Sequence, residues 1–464
     1  MAEKGRVILI LGDVISGRVF IECGIIQRLA AAYKGALTVL VAPVEVHSPA
    51  SLAQRFPGIE FLPLKDVYET AVPGAAGKMA QLADNLSDRW FGFYPLALRF
   101  NLRHKYNLDR LERGHPNYFW DLDRTGPLPK WDFIYNAMRR WYFSGLRFVH
   151  PGITEFLKRA RARGIIYSNP QLPLTHAFSL AAMRSGVPLV GYVASWDHPV
   201  GKGLIAPFYD VYLVQNENMK NALLDLHGID PARIKVTGWP QLDKYHAPRS
   251  IAQYKAKLAS WGLDPEQPCV LMAGNSAVNG PTEPAIFEKV INARDASGAE
   301  WSAVVRPHPK DSAWRERYAA LAGRRGVYLQ GGACAEMDEL ALLLKHVACV
   351  VCTAGTVLLD ALVNGRPVAG IMYDDGPQAP EGRAMSNYSM IHYMEIMREG
   401  AFYKAGNLDA IMNGIVRSME NPGELAANRE RVARSVTGAA DGGAVGRIIG
   451  GVTSVIPADL ADGV

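Results

Sequence analysis

Val350 to Gly370 reads VVCTAGTVLLDALVNGRPVAG, and its punctuation decides the fold. An apolar run stops at a small-residue loop, Thr353-Ala-Gly-Thr356, and a helical pattern begins at once. Gly365 closes that helix and Pro367 opens the next apolar run. Strand, tight loop, helix and strand make the repeating unit of a parallel sheet, because parallel neighbours need a crossover and a helix supplies it. Gly355 permits close backbone approach, and the hydroxyls of Thr353 and Thr356 are expected to face a bound ligand. The free N–H groups of a helix start favour an anion there, phosphate above all. Asp360, four residues after Thr356, shares its helix face and is placed to accept from a sugar or ribose hydroxyl. The plainer alternative is an ordinary α/β turn with threonine as a cap and Asp360 solvated.

Outward from this stretch the same rhythm fills most of the chain. Apolar strands are expected at 7–13, 36–43, 59–64, 164–169, 188–195, 211–216 and 234–240, and again at 269–275, 302–309, 327–331, 349–355 and 367–373. Helical segments such as Phe20–Lys34, Ile153–Arg163 and Thr175–Ser185 lie between them. Continuous apolar strands with intervening helices indicate sheets covered on both faces. At 464 residues the chain exceeds what one core can bury. The expected class is therefore α/β, with two Rossmann-like domains facing a central cleft. The boundaries read as 1–245 for the first domain, 246–437 for the second, and 438–464 for a C-terminal helix and tail.

Composition narrows the function. A hydrophobic share of 49% and a charged share of 20% describe a globular protein, and a net charge of +5 is too small for a dedicated nucleic-acid binder. No eighteen apolar residues run together, and the opening MAEKGRVILILGD has no secretory pattern, so a cytoplasmic protein is expected. Cys349 and Cys352 form a C-x-x-C inside one apolar strand, which reads as core thiols; no metal and no cofactor are expected. Residues 85–150 break the rhythm. There 16 of 66 residues are Phe, Tyr or Trp, against 43 in the whole chain, and 11 are Lys or Arg. Such a mixture suits a membrane surface or an amphipathic acceptor, or else a helical insertion with packed aromatics. The D-x-D of Asp121 and Asp123 within it is not read as a metal site.

VVRPHPKD, Val304 to Asp311, ends a strand with Arg306 and His308 separated and followed by prolines that fix the backbone. Thr356-x3-Asp360-Ala-Leu-x2-Gly365-x-Pro367 resembles the donor-site signature of GT-B glycosyltransferases, with aspartate where that family usually has glutamate. RPHP followed by this loop resembles the CDP-glycerol glycerophosphotransferase and capsule-polysaccharide transferase groups and, distantly, the UDP-N-acetylglucosamine 2-epimerases. RIKVTGWPQLDKY (233–245) is similar to the segment that ends their first domain, and YVASWDHPVGKG (192–203) to a stretch of bacterial surface-carbohydrate enzymes. The resemblance covers much of 188–370. It implies a metal-independent transferase with a nucleotide-activated sugar donor and a polysaccharide or lipid-linked acceptor. Arg306 and His308 would then neutralise the departing phosphate. Gly238, inside VTGWP, and Asn275, closing CVLMAGN, are counted with the nucleotide-binding residues.

Deprotonating an acceptor hydroxyl needs a base, which the GT-B plan places on the first domain. Asp13, ending the first strand, and the Asp197–His198 pair in SWDHP are both open. Burial behind an apolar strand is expected to raise the pKa of Asp13 toward a useful value. Rival readings are a sugar-nucleotide 2-epimerase, a polyol-phosphate transferase with a CDP-activated donor, and a non-catalytic nucleotide-sugar scaffold. The epimerase would want a GG with paired glutamates after Thr353, where this chain has TAGTVLLDAL.

Overall fold

The structure, a computed structural model, describes residues 5–42, 47–67, 149–171, 173–201, 205–331, 337–376, 383–388, 390–438 and 440–459, with isolated positions between 74 and 143. The aromatic and basic segment 85–150, with its D-x-D, lies almost wholly outside them. The chain forms two compact units, Met1–Pro240 with Gly443–Val464, and Gln241–Gly442.

In the first unit, seven strands run side by side in the order β3 (Glu60–Pro63), β2 (Leu37–Val41), β1 (Val7–Leu11), β4 (Gly164–Tyr167), β5 (Leu189–Tyr192), β6 (Val211–Val214) and β7 (Ile234–Val236). Every neighbouring pair is parallel, with Leu9 opposite Val39 on one side and Ile166 on the other. All residues of β1 and β2 are buried, as a sheet covered on both faces demands. The expected helix Phe20–Lys34 is two, Val14–Glu22 and Ile25–Ala32, because Gly24 turns left-handed at φ +78° between them.

The second unit repeats the plan with six parallel strands, β10 (Val327–Leu329), β9 (Ser302–Arg306), β8 (Cys269–Ala273), β11 (Cys349–Cys352), β12 (Val368–Ile371) and β13 (Tyr403–Ala405). Strand β13 has no counterpart in the sequence reading; three residues paired only to β12 are too short to show a pattern. Cys349 and Cys352 are fully buried in β11, and burial pushes the Cys349 thiol up to about 11 and Cys352 well above its ordinary value.

The C-terminal helix Ala444–Thr453 belongs to the first unit, and the boundary between the units falls at Pro240 rather than at 245. Val445, Ile448, Val452 and Ile456 join the core around β1, β2 and β6. Gly164 on β4 has no side chain because Ile456 occupies the space: a Cβ there would stand 2.3 Å from Ile456 Cδ1. The Tyr33 hydroxyl donates to the Ile456 carbonyl at 2.8 Å, and Arg163 pairs with Asp459 at 2.8 Å. Ile456→Ala is therefore expected to cost about 2–4 kcal/mol, by lost transfer and an unfilled cavity over β4. Urea denaturation reads this, and an unchanged midpoint would show the tail to be dispensable.

Candidate functional site

Each sheet reverses its strand order once, between β1 and β4 in the first unit and between β8 and β11 in the second. Connections leave a reversal toward opposite faces, which opens a crevice at the carboxyl ends where ligands bind in open α/β sheets. Of the residues that the sequence singled out, Asp13 lies at the first of these places and Asn275, Thr353, Gly355 and Thr356 at the second, while Arg306 and His308 follow β9 and Asp197 and His198 follow β5.

In the second unit Asn275 follows β8 and Thr353 follows β11. The Asn275 amide nitrogen donates to the Thr353 hydroxyl at 3.2 Å and to the Ala354 carbonyl at 2.8 Å, so one side chain spans the reversal. Beneath it lies Glu283, first residue of the helix Glu283–Ser297 and only 1% exposed. Its Oε1 accepts from the Thr353 hydroxyl at 2.6 Å and the Thr353 N–H at 3.3 Å, and its Oε2 accepts from the Asn275 N–H. Burial pushes the Glu283 carboxyl up to about 7, against the pull of these bonds and of the nearby Arg317 charge. The Thr353 hydroxyl, expected to face a ligand, thus donates inward to Glu283.

The loop then exposes its anion-favouring features. Gly355 caps the helix Thr356–Val363 in an extended conformation at φ −170°, no side chain caps that helix, and Thr356 is exposed. Two hydroxyls secure the loop: Tyr393 donates to the Gly355 carbonyl at 2.6 Å and Tyr388 to the Cys352 carbonyl at 3.3 Å. Asp360 is buried on this helix, not solvated. Arg306, ending β9, is also buried, and its guanidinium donates to Gln330 Oε1 at 2.5 Å. Gln330 donates in turn to Glu339 at 2.6 Å, and Glu339 pairs with Lys257 at 2.5 Å. His308 is half-buried, and its Nδ1 accepts from the Lys310 N–H at 3.0 Å. The neutral ring therefore carries its proton on Nε2, as a donor.

At the first unit's reversal Asp13 follows β1 and Asn169 follows β4. Asp13 caps the helix Val14–Glu22, its Oδ1 accepting from the N–H groups of Ile15 and Ser16. Its Oδ2 accepts from the Ser16 hydroxyl at 2.8 Å and the Asn169 amide at 2.9 Å. Burial alone would raise the Asp13 carboxyl, but the bonds from Asn169 and Ser16, with the His198 imidazole nearby, outweigh it and leave the pKa lowered. This corrects the expectation that burial raises it. His198 is half-buried at the start of the short helix His198–Gly201, whose backbone is tied down by Gln171 donating to the His198 carbonyl at 2.9 Å. The buried His227 bonds the Pro199 carbonyl at 2.9 Å. Asp197, immediately before that helix, is also half-buried. The two loops that the sequence left as alternatives are thus near enough for His198 to act on Asp13. Gly238 stands apart, taking φ +86° in the turn after β7.

No protein-family model and no curated protein matches the chain. Solved structures do, along nearly its whole length. S. aureus MnaA in complex with UDP is 13% identical, with a TM-score of 0.52 over 99% of this chain and 100% of that one. UDP-GlcNAc 2-epimerase from Neisseria meningitidis, bound to UDP-GlcNAc, is 13% identical, with a TM-score of 0.52 over 97% and 100%. UGT89C1 of Arabidopsis thaliana, complexed with UDP, is 13% identical, with a TM-score of 0.52 over 98% and 100%. At such identity the likeness establishes the fold: two Rossmann-like domains of the GT-B class.

Two glycines at the second reversal have opposite constraints. A Cβ on Gly274 would stand 2.1 Å from the buried Tyr318 hydroxyl, whereas one on Gly355 would meet only Asn275 Nδ2 at 3.6 Å. Gly274→Ala should destabilise by about 1–3 kcal/mol through overpacking, while Gly355→Ala should stay within about 0.5 kcal/mol of wild type. Denaturation midpoints decide, and equal effects would mean that the loop after β8 yields freely.

Proposed function

We propose that this protein is a GT-B glycosyltransferase that moves a sugar from a nucleotide-activated donor to a surface-polysaccharide or lipid-linked acceptor. The observation that carries the reading is an Asp13 carboxylate at the first reversal that already holds four hydrogen-bond donors, with the His198 imidazole close enough to lower its pKa further. A carboxylate with four donors and a lowered pKa is a weak base; an imidazole beside it is a good one. His198 takes the proton of the acceptor hydroxyl, and Asp13 stabilises the imidazolium that forms. The acceptor oxygen attacks the anomeric carbon as the bond to the diphosphate breaks.

The second unit supplies the leaving-group site. The open helix start at Thr356 favours the diphosphate, Arg306 adds positive charge at the end of β9, two strands away, and His308 offers its Nε2–H. Asp360 takes a ribose or sugar hydroxyl in this reading. The nucleotides bound to the structural neighbours support a UDP-linked sugar as the first donor to try. The lipid-linked acceptor and a place at the inner membrane surface rest on the composition of residues 85–150. Among the described residues no helix is long and apolar enough to cross a membrane.

The epimerases among the neighbours keep a second reading open. Inverting C2 of a sugar breaks its C2–H bond, so an epimerase turns over without acceptor and exchanges that hydrogen with solvent. A transferase releases nucleoside diphosphate only when acceptor is present. Incubating the protein with UDP-GlcNAc in heavy water, with and without acceptor, separates the two.

For the transferase, His198→Ala should cut turnover by about 10²–10⁴ while UDP affinity stays within a few-fold. Arg306→Ala and His308→Ala should instead weaken UDP binding, each by about 1.5–3 kcal/mol. Calorimetry and steady-state kinetics on the three variants read this split; normal turnover in His198→Ala would remove the imidazole from the mechanism.

A further inference from the structure

Glu283 is a buried acid that the reaction above does not use. Its carboxylate is sealed: a Cβ on Gly280 would stand 2.2 Å from Oε2, and the side chain is 1% exposed. No cation pairs with it among the described residues. Arg317, the nearest, donates to the Gly280 carbonyl at 2.7 Å and pairs with Asp311. The other titratable groups that sense Glu283 are Tyr318 beside Arg317, Cys352 on β11, and Tyr388 of the helix Arg383–Tyr388. An ionisable group buried without a counter-charge is a costly way to join two loops, because apolar or amide groups could do so with no charge to desolvate.

Its three bonds are what distinguish it. They end on the backbone of Asn275 and on the backbone and hydroxyl of Thr353, one residue on either side of the strand reversal. The Asn275 amide then crosses to Thr353 and Ala354, next to the open helix start. We infer that Glu283 is a positioning residue of the nucleotide site, which holds the two loops at the diphosphate's distance and takes up a proton as the diphosphate binds. The inference rests on the function proposed above and names a residue and a proton linkage that it lacks.

The physical reason is reciprocal coupling. A bound diphosphate places negative charge near the buried carboxyl and favours its neutral form, so the neutral form must bind the diphosphate more tightly. Protonated at Oε1, Glu283 donates to the Thr353 hydroxyl, which can turn to accept, while Oε2 still accepts from the Asn275 N–H, so the tie between the loops is kept.

The test measures the dissociation constants of UDP, CDP and GDP by calorimetry between about pH 6 and 8, for wild type and Glu283→Gln. The nucleotide's own terminal phosphate titrates near the lower end of this range, equally for both proteins. Dividing the two profiles removes it. The expected result is that wild-type affinity, relative to Glu283→Gln, falls about five- to tenfold as pH rises. Parallel profiles would reduce Glu283 to a structural tie and overturn the inference. Should Glu283→Gln not fold, Thr353→Val withdraws a donor that lowers the carboxyl's pKa, so the midpoint of its affinity profile should lie above that of wild type; an unmoved midpoint overturns the inference equally. If wild type binds none of the three diphosphates, the nucleotide reading falls and takes this inference with it. If wild type binds and the profiles are parallel, only the inference falls.

Discussion

The interaction on which the second domain's site depends is the bridge that Asn275 makes over the reversal between β8 and β11. Where a sheet changes winding direction, the loops leaving the two central strands part company, and nothing in the strand ladder holds them together beyond their last pair. A side chain must do it. Asn275 is suited to this because its amide offers two donors, used on Thr353 and Ala354, and an acceptor, used on the Ser276 N–H. Everything further along the loop inherits its position from that bridge: the Gly355 cap, the helix start at Thr356, and the buried face carrying Asp360. Tyr388 and Tyr393 complete the hold by bonding carbonyls at each end of the loop.

The first domain solves the same problem with different chemistry. There the bridge runs from Asn169 after β4 to Asp13 after β1, and the Ser16 and Ser168 hydroxyls add a second crossing at 2.9 Å. The difference is in charge. At the first reversal the acid is one of the two bridging groups, carries four donors and has its pKa lowered. At the second the acid lies beneath the bridge, desolvated, and burial dominates, so its carboxyl rises to about 7. Two carboxylates of similar surroundings are thus driven in opposite directions, by counted donors in one case and by exclusion of water in the other.

How much of this was legible in the sequence follows from which signals are local. The alternation of apolar runs and helices is local, and it gave twelve of the strands; β13 escaped because three residues carry no period. The helix start at Thr356 was legible for the same reason, since a small-residue loop between strand and helix writes itself into adjacent positions. Glu283 was not. Nothing in GPTEPAIF distinguishes a glutamate that points into solvent in a first helical turn from one that folds back beneath a loop 70 residues away. Asn169 is similarly hidden: the expected strand 164–169 stops at Tyr167, and the partner of Asn169 lies 156 residues earlier. The direction of the Asp13 shift was misread because burial could be inferred from the apolar strand, whereas the number of donors that converge on the carboxylate could not.

The contrast between the two acids also bears on the chemistry. A leaving diphosphate is stabilised best by groups already in place before charge develops, since dipoles that must turn during the reaction surrender part of their effect to reorganisation. In the reading proposed above, the second domain has that character. Arg306 is held at the far end of a chain through Gln330 and Glu339 to Lys257, so its guanidinium is fixed from the side away from the helix start. The His308 tautomer is fixed by its own backbone turn, and the helix start is fixed by Asn275 and two tyrosines. The first domain instead leaves its imidazole half-buried while anchoring the backbone around it through Gln171 and His227. In the same reading, a base has to meet an acceptor that arrives from solvent and then lose its proton again, so partial exposure suits His198, while the anion's site combines the buried Arg306 with the half-buried His308 and the exposed helix start at Thr356. In that reading the same fold, used twice in one chain, serves once as a rigid electrostatic edge and once as an edge open to proton exchange.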